Sequence, residues 1–497
     1  MTTLATPQVA TRVPQPRTVP LATLLAHEWR LLVRDRLLHV AASCFIVVVV
    51  LALAAGVRWS RAQQATVDRL RRADADQLVA WQRALDTIPA DAPPPEAFAR
   101  DPRSAFHVGA RVGRVAGLDQ PPLGVLAVGQ SDLQPSYYKV TTGPRQAMLM
   151  NDEIENPVAL LTGRLDLTFV IVALLPLLIG ALSYGMLAGE REDGTLALVA
   201  SQPVTLRRVL LAKVAVRAAI VLAVAIGLVA IGLVVAGAPL AAPGVATVAA
   251  TWLLTVLVYA AFWFAIALLV AVLVRGAAAG ALTLATVWLL SVIVVPVLVN
   301  VVAQARHPAP SRTALIAESR AAAAAANARA DTLLRKFLFD HPEMRAGASV
   351  ASGKDFVTRS LTVQFEVDTA MAPSLAAFDA RLRAQQALVD RARLASPSLL
   401  AQGVLESLAG TDGDRWRRFR DSTIAYHRRW RDAIMAQAVR GEPLTAAMLG
   451  ALPTFAFGEA PADAVLPRVG GALAVLVVLA VLAWSGALVA IGRVRAA

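Results

Sequence analysis

Six apolar stretches, residues 40–57, 167–188, 209–236, 246–274, 277–301 and 469–491, are each long enough to cross a bilayer. A hydrocarbon core of about 30 Å is crossed by about 20 helical residues, and a lone spanning segment must satisfy its own backbone groups, which a helix does. With 57% hydrophobic residues and a mean hydropathy of +0.58, the chain must place much of its surface in lipid. The expected fold is an all-α-dominated polytopic membrane protein: six transmembrane helices with two large, mainly helical extracytoplasmic insertions. Ala52-Leu-Ala-Ala55 resembles a secretory cleavage site. Its leader of about forty residues is too long, and its apolar run exceeds the roughly 7–15 residues of a signal core, so an uncleaved anchor is expected.

Short loops set the orientation. Arg191, Arg207, Arg208, Lys213 and Arg217 follow the second stretch, Arg275 joins the fourth to the fifth, and Arg493 and Arg495 end the chain, whereas residues 237–244 carry no charge. Positive charge marks the cytoplasmic side. Both termini and the loop 189–208 therefore face the cytoplasm in a multi-pass protein of the cell inner membrane. The first stretch does not decide the matter alone, because arginines flank it on both sides, but long translocated loops are largely exempt from the rule.

The remaining chain divides accordingly. Residues 1–20, rich in Thr and Pro, read as a disordered cytoplasmic tail, and 492–497 as a second tail. In 21–38, Leu21, Leu24, Leu25, Trp29, Leu32, Val33 and Leu37 recur at helical spacing, which suits an amphipathic helix lying on the inner leaflet; continuation of the first span is the alternative. Residues 58–166 and 304–468 form the two extracytoplasmic insertions, each large enough to fold. The first opens as a charged helix over 61–85. The second carries helix patterns over 313–339, 373–394 and 412–439, bounded by Pro or Gly.

Several function classes are disfavoured by the residues themselves. The net charge of +13 comes almost entirely from arginine, with lysine only at 139, 213, 336 and 354. Orientation charges and solvated helix faces account for it, and no nucleic-acid partner is expected. The run Arg415-Trp-Arg-Arg-Phe-Arg420, continued to Tyr426-His-Arg-Arg-Trp-Arg431, falls in an outer insertion, where it reads as an amphipathic helix paired with Asp412, Asp414, Asp421 and Asp432. The single cysteine, Cys44, permits no disulfide within the chain. Neither the six scattered histidines nor the acids Glu153 and Glu155 make a catalytic set, so no catalytic residue and no metal site are assigned. An ion-driven carrier needs ionisable groups at mid-membrane, and the central thirds of the six stretches contain none. Pro176 and Pro296 are placed to kink the second and fifth spans. Ser183, Tyr184, Thr251, Thr255, Tyr259 and Ser291 are candidates to line a pathway or, more commonly for such residues, to bond to the helix backbone or to neighbouring helices.

The loop after the second span reads Glu190-Arg-Glu-Asp-Gly-Thr-Leu196, then Ser201-Gln-Pro203. Alternating charges must leave the hydrocarbon, Gly194 permits a turn, and a short helix follows before Pro203 forces a new start. Two readings stand: a short helix docking into a groove on a soluble partner, or a hairpin whose charges anchor the helix ends.

This block, with Arg207 to Lys213 at the foot of the next span, resembles the pattern of ABC-2 type permeases, the membrane subunits of ATP-binding-cassette transporters. Segments at 129–133, 139–141, 153–157 and 161–166 are similar to the subgroup with enlarged outer loops, which includes permeases of gliding motility and nitrous-oxide-reductase maturation. The resemblance implies that Glu190, Arg191, Glu192, Gly194, Thr195 and Leu196 contact an ABC ATPase subunit. It also implies pairing with a second permease copy or a paralogue. No phosphate loop of the form Gly-x-x-x-x-Gly-Lys-[Ser/Thr] occurs, so ATP and Mg belong to the partner chain and no cofactor is expected in this one. Membrane lipid is a further partner. The expected activity is ATP-driven transport, with export of an unidentified substrate favoured. The alternative is mechanical or assembly work on an extracytoplasmic protein without solute translocation.

Overall fold

The computed structural model describes residues 19–89, 101–105, 108–150, 165–309, 311–340, 354–440 and 443–493. The N-terminal tail, the acids Glu153 and Glu155 and most of the C-terminal tail lie outside them. Six helices are long and apolar enough to cross a membrane, so the protein is a multi-pass integral membrane protein. The described chain is almost entirely helical; its sheet is one antiparallel pair, β1 (Arg114–Gly117) with β2 (Tyr137–Val140), in the register Arg114↔Val140 to Gly117↔Tyr137.

Helix α1 (Leu21–Arg34) ends at Asp35, whose extended backbone (φ −77°, ψ 120°) breaks the helix and whose side chain accepts from the Leu37 amide at 2.9 Å. That cap starts α2 (Arg36–Thr87), so α1 is a helix of its own and not a continuation of the first span. Its apolar Leu21, Trp29, Leu31 and Val33 are exposed, while Glu28 and Leu32 are buried. α2 has 52 residues and, at about 1.5 Å per residue, runs about 78 Å without interruption. The charge change at Arg58 marks where it leaves the apolar bundle, not where it ends.

The remaining spans are α3 (Leu167–Glu192), α5 (Leu206–Ala236), α6 (Val245–Leu273), α7 (Ala277–Arg306) and α13 (Ala462–Arg493), with the short α4 (Leu196–Ser201) between α3 and α5. Of the most apolar windows of α3 and α6, 67% is buried inside the protein, against 6% for α7, so α3 and α6 form the centre of the bundle and α7 its margin. Trp252, Tyr259, Trp263 and Phe264 fill that centre. α5 stops at Gly237, whose φ of +72° supplies the left-handed cap that ends a helix.

Both expected proline sites interrupt their helices as wide π turns, over Val170–Leu174 before Pro176 and over Leu290–Val294 before Pro296. Proline has no amide to give, and carbonyls left open inside a span need another donor. The Tyr259 hydroxyl reaches the Val172 carbonyl at 2.8 Å, and the Trp288 indole reaches that of Ala173 at 2.8 Å. In α7 the Val295 amide is used by Leu290, and the Ser291 carbonyl instead accepts from Ser396 Oγ at 3.2 Å. Thr251 and Thr255 each bond the carbonyl one turn back in their own helix. The Thr251, Thr255 and Tyr259 hydroxyls thus bond helix backbone, and the Ser291 hydroxyl bonds a neighbouring helix through Ser398 at 3.0 Å.

Beyond the bundle, the two long insertions share one core. Trp81 and Leu85 of α2, Val108, Ala116, Tyr138 and Val140 pack with Phe419, Tyr426, Trp430 and Ile434 of α12 (Gly413–Arg440). A second, smaller core joins α8 (Arg312–Ala328) and α9 (Ala330–Asp340) to α10 (Lys354–Ala392) through Leu315, Ala330, Val367, Met371 and Leu375. Pro373 lies inside α10 and not at its start. It sits on the exposed face, as does Thr369 one turn back.

Between α10 and α12 lies a helix for which the apolar pattern gave no separate expectation. α11 (Pro397–Ala409) starts with Ser396 as its cap and Pro397 at its first position, and ends at Gly410 with φ +75°. It penetrates the bundle, packing on α6, α13 and α3. Its Ser398 hydroxyl lies 3.1 Å from that of Tyr259, midway along α6, and 3.0 Å from that of Ser291.

Candidate coupling site

At the opposite end of the bundle from the shared insertion core, α3 loses regular hydrogen bonding over residues 184–187 and recovers it for one turn, Ala188–Glu192. Gly194 then takes φ +71°, a conformation that side chains resist, and turns the chain into α4. Thr205 caps α5, its hydroxyl accepting from the Arg208 amide at 3.4 Å.

The three charged residues of the turn do different things. Glu190 forms a close ion pair with Lys213 of α5, whose ammonium also donates to the Met186 carbonyl at 3.1 Å. Arg191 donates to the Val274 carbonyl at 3.3 Å, where α6 ends. Glu192 accepts from the Ala277 amide at 2.8 Å, the first amide of α7, where an N-terminal dipole favours a carboxylate. Together they tie one loop to α5, α6 and α7.

Beneath this turn lies a buried ionic cluster absent from the sequence expectations. Glu28 of α1 is 7% exposed and stands 4.0 Å from Lys213 Nζ and 3.8 Å from Arg217. Arg217 also donates to the Leu182 carbonyl at 2.7 Å and to that of Lys213 at 3.0 Å. Burying such charges is costly unless each is paired, and here each is. The sequence signal for Glu28 is an acid on the inward side of an amphipathic helix, four residues before the buried Leu32.

The outer surface of the turn remains open: Asp193, Gly194, Thr195 and Leu198 are exposed, and Leu196 is half-buried against the bundle core. Of the six residues expected at the ATPase contact, Gly194 and Thr195 face solvent. Glu190 and Arg191 turn inward as anchors, and Glu192, itself exposed, caps the start of α7.

A second buried acidic pair sits at the opposite end of α3. Asp166 accepts from the amides of Phe169 at 2.6 Å, Val128 at 2.9 Å and Gly129 at 3.1 Å. Burial raises its carboxyl above the ordinary range, and those three amides oppose the rise. Glu406 of α11, held by Gln402 at 2.8 Å, is pushed up to about 7 by burial, with the Asp166 charge adding to the shift.

The arginine-aromatic run of α12 points Phe419, Tyr426 and Trp430 into the core and engages Arg415, Arg420 and Arg431 with partners elsewhere in the fold. Arg420 meets Asp379 at 3.0 Å, Arg431 pairs with Asp368, and Arg415 grips Glu459. Of the acids expected to pair with it, Asp414 holds Arg417, Asp421 stands 3.7 Å from Arg420, and Asp412 caps the Arg415 amide at 3.0 Å. The run is thus a packed structural helix tied largely to α10 and to the segment before α13. His427, on the same helix, is held below the ordinary imidazole range by burial, against the pull of its contact with the Gly143 carbonyl at 2.9 Å.

A family described as a domain of unknown function, DUF3526, matches residues 312–458, from α8 past the end of α12. That is less than a third of the chain, and it excludes the turn at residues 188–195. No curated protein matches the chain.

Proposed function

We propose that this chain is the membrane-spanning subunit of an ABC-2 type transporter, in which a separate ATPase subunit, binding ATP and Mg, drives export of a substrate across the cell inner membrane. The reading rests on one observation above all. The turn after α3 is clamped to three other spans by Glu190–Lys213, Arg191–Val274 and Glu192–Ala277, while Asp193–Thr195 and Leu198 stay open to a partner. A push on such a turn reaches α3, α5 and α7 together. In this reading the turn and both termini are cytoplasmic, α1 lies on the inner leaflet, the insertions are extracytoplasmic, and a second permease copy or paralogue completes the pathway.

The test places a cysteine at Leu198 in a Cys44→Ser background. Labelling by a membrane-impermeant maleimide is expected in inside-out vesicles only; labelling in intact spheroplasts would reject the orientation. In the assembled complex, Leu198→Asp is expected to lower ATPase activity about tenfold or more, as loss of a central apolar contact does. Unchanged activity would reject the contact.

A second reading, mechanical work on an extracytoplasmic protein without solute movement, is favoured by the continuity of α2 from the first span into the core shared by the insertions. Uptake measured in sealed vesicles with substrate-stimulated ATPase supports transport. ATPase activity that depends on an added outer protein, without uptake, supports the mechanical reading.

A further inference from the structure

Where α6 and α13 meet the insertions, they border a cleft of about 550 Å³, well inside the roughly 300–1,000 Å³ of sites that hold small molecules. Its floor is apolar. Val245 and Val248 come from the first turn of α6, Val469 and Ala472 from α13, and Leu400 and Val404 from α11. These positions lie at the ends of two spans, at the edge of the hydrocarbon.

Its rim is ionic, and the acids there are already engaged. Glu459 takes the Arg415 guanidinium on both oxygens, Asp390 holds Arg393 at 3.0 Å, and Asp414 holds Arg417. Asp412 accepts from Ser407 Oγ at 2.7 Å and from the Arg415 amide at 3.0 Å. Two cations have no ion-pair partner there, although Arg468 Nε donates to the Ala464 carbonyl at 2.9 Å. Among the described residues, neither Arg418 nor Arg468 has an acid within 4.0 Å, and the buried Arg418 Nε has no hydrogen-bond partner. Burial, with the Arg468 charge adding to it, holds the Arg418 guanidinium below its ordinary range, against the pull of the more distant Asp412 and Glu459. Like charges held together are stabilised by an anion shared between them, and guanidinium pairs suit phosphate oxygens. A soluble anion makes no use of the apolar trough below; an amphiphile uses both parts.

We propose that this cleft binds a phospholipid, its phosphate shared by Arg418 and Arg468 and one acyl chain laid along Val245, Val248, Val404 and Val469. The site stands apart from the coupling turn and does not depend on an ATPase partner.

The experiment uses the full chain, stripped of lipid in a neutral maltoside detergent and titrated with dioleoyl-phosphatidylglycerol under native mass spectrometry. A one-to-one adduct is expected, weakened about tenfold or more in Arg418→Gln/Arg468→Gln. Val404→Trp, which fills the trough and spares both arginines, is expected to weaken it by a similar factor. Arg468→Gln alone, at an exposed side chain, is expected to weaken binding about threefold and covers the case in which a double variant fails to fold. Wild-type affinity in the arginine variants overturns the proposal. Equal affinity for dioleoylglycerol, which lacks the phosphate, overturns it as well. So does full competition by inorganic phosphate with no effect of Val404→Trp, which would mark a site for a soluble anion.

Discussion

The hydroxyl of Tyr259 donates at 2.8 Å to the carbonyl of Val172, four residues before Pro176. A regular helix would offer that carbonyl the amide at position 176, which proline lacks. A tyrosine on one span therefore completes the backbone of another. Tyr259→Phe leaves the carbonyl bare in a dry interior, and a loss of about 1–3 kcal/mol is expected. Pro176→Ala, which returns an amide within reach, is expected to recover part of it. Thermal unfolding of the detergent-purified single and double variants measures both; simple additivity would deny the link.

Lys213 stands between Glu28 and Glu190, at the junction of α1, α3 and α5. Lys213→Met leaves two carboxylates crowded in a buried place, and breaking such a pair costs about 3–5 kcal/mol. The double change with Glu190→Gln removes the stranded charge, leaves Glu28 to Arg217 at 3.8 Å, and is expected to regain most of the loss. Melting temperatures of the three proteins decide it.

Much of this architecture is legible from residue patterns, and the unread parts share a cause. The six spans follow from hydropathy alone, because lipid imposes length and composition on each segment independently of its neighbours. α11 does not, since 13 residues are too few to cross a bilayer and only the surrounding spans make its burial possible. Its punctuation, Ser396-Pro397 at one end and Gly410 at the other, was the available local signal. At the coupling turn the charge pattern located the bend. What Glu190 and Glu192 bind depends on Lys213 and on the start of α7, 23 and 85 residues further along the chain.

Glu406 gives the protein a pH dependence of known sign. Its carboxyl titrates near about 7 in the fold against 4.5 for an exposed glutamate, so the folded state holds the proton more tightly. The resulting stabilisation is complete below about 4.5 and is lost as pH rises through about 7. Unfolding temperatures are expected to fall between about pH 5 and about pH 8, and Glu406→Gln, which stays neutral, is expected to flatten that slope. An unchanged slope in the variant assigns the dependence elsewhere.

Gly56 of α2 lies against the backbone at Val125, where an added Cβ would stand 2.4 Å from the carbonyl oxygen. Backbone cannot swing aside as a side chain can, so Gly56→Ala is expected to cost about 1–3 kcal/mol. Gly227→Ala on α5, with nothing within 4 Å of the new carbon, is expected to be neutral or slightly stabilising. Chemical denaturation of the two variants side by side checks the contrast.

Because α2 has no joint between Arg36 and Thr87, it has the form of a lever with its N-terminal part, Leu38 to Leu53, held among the spans. A tilt of about 5° about one end of a rod of about 78 Å sweeps the other through about 7 Å. Small angular changes at one membrane face thus arrive at Trp81 and Leu85 magnified into displacements wider than a water molecule.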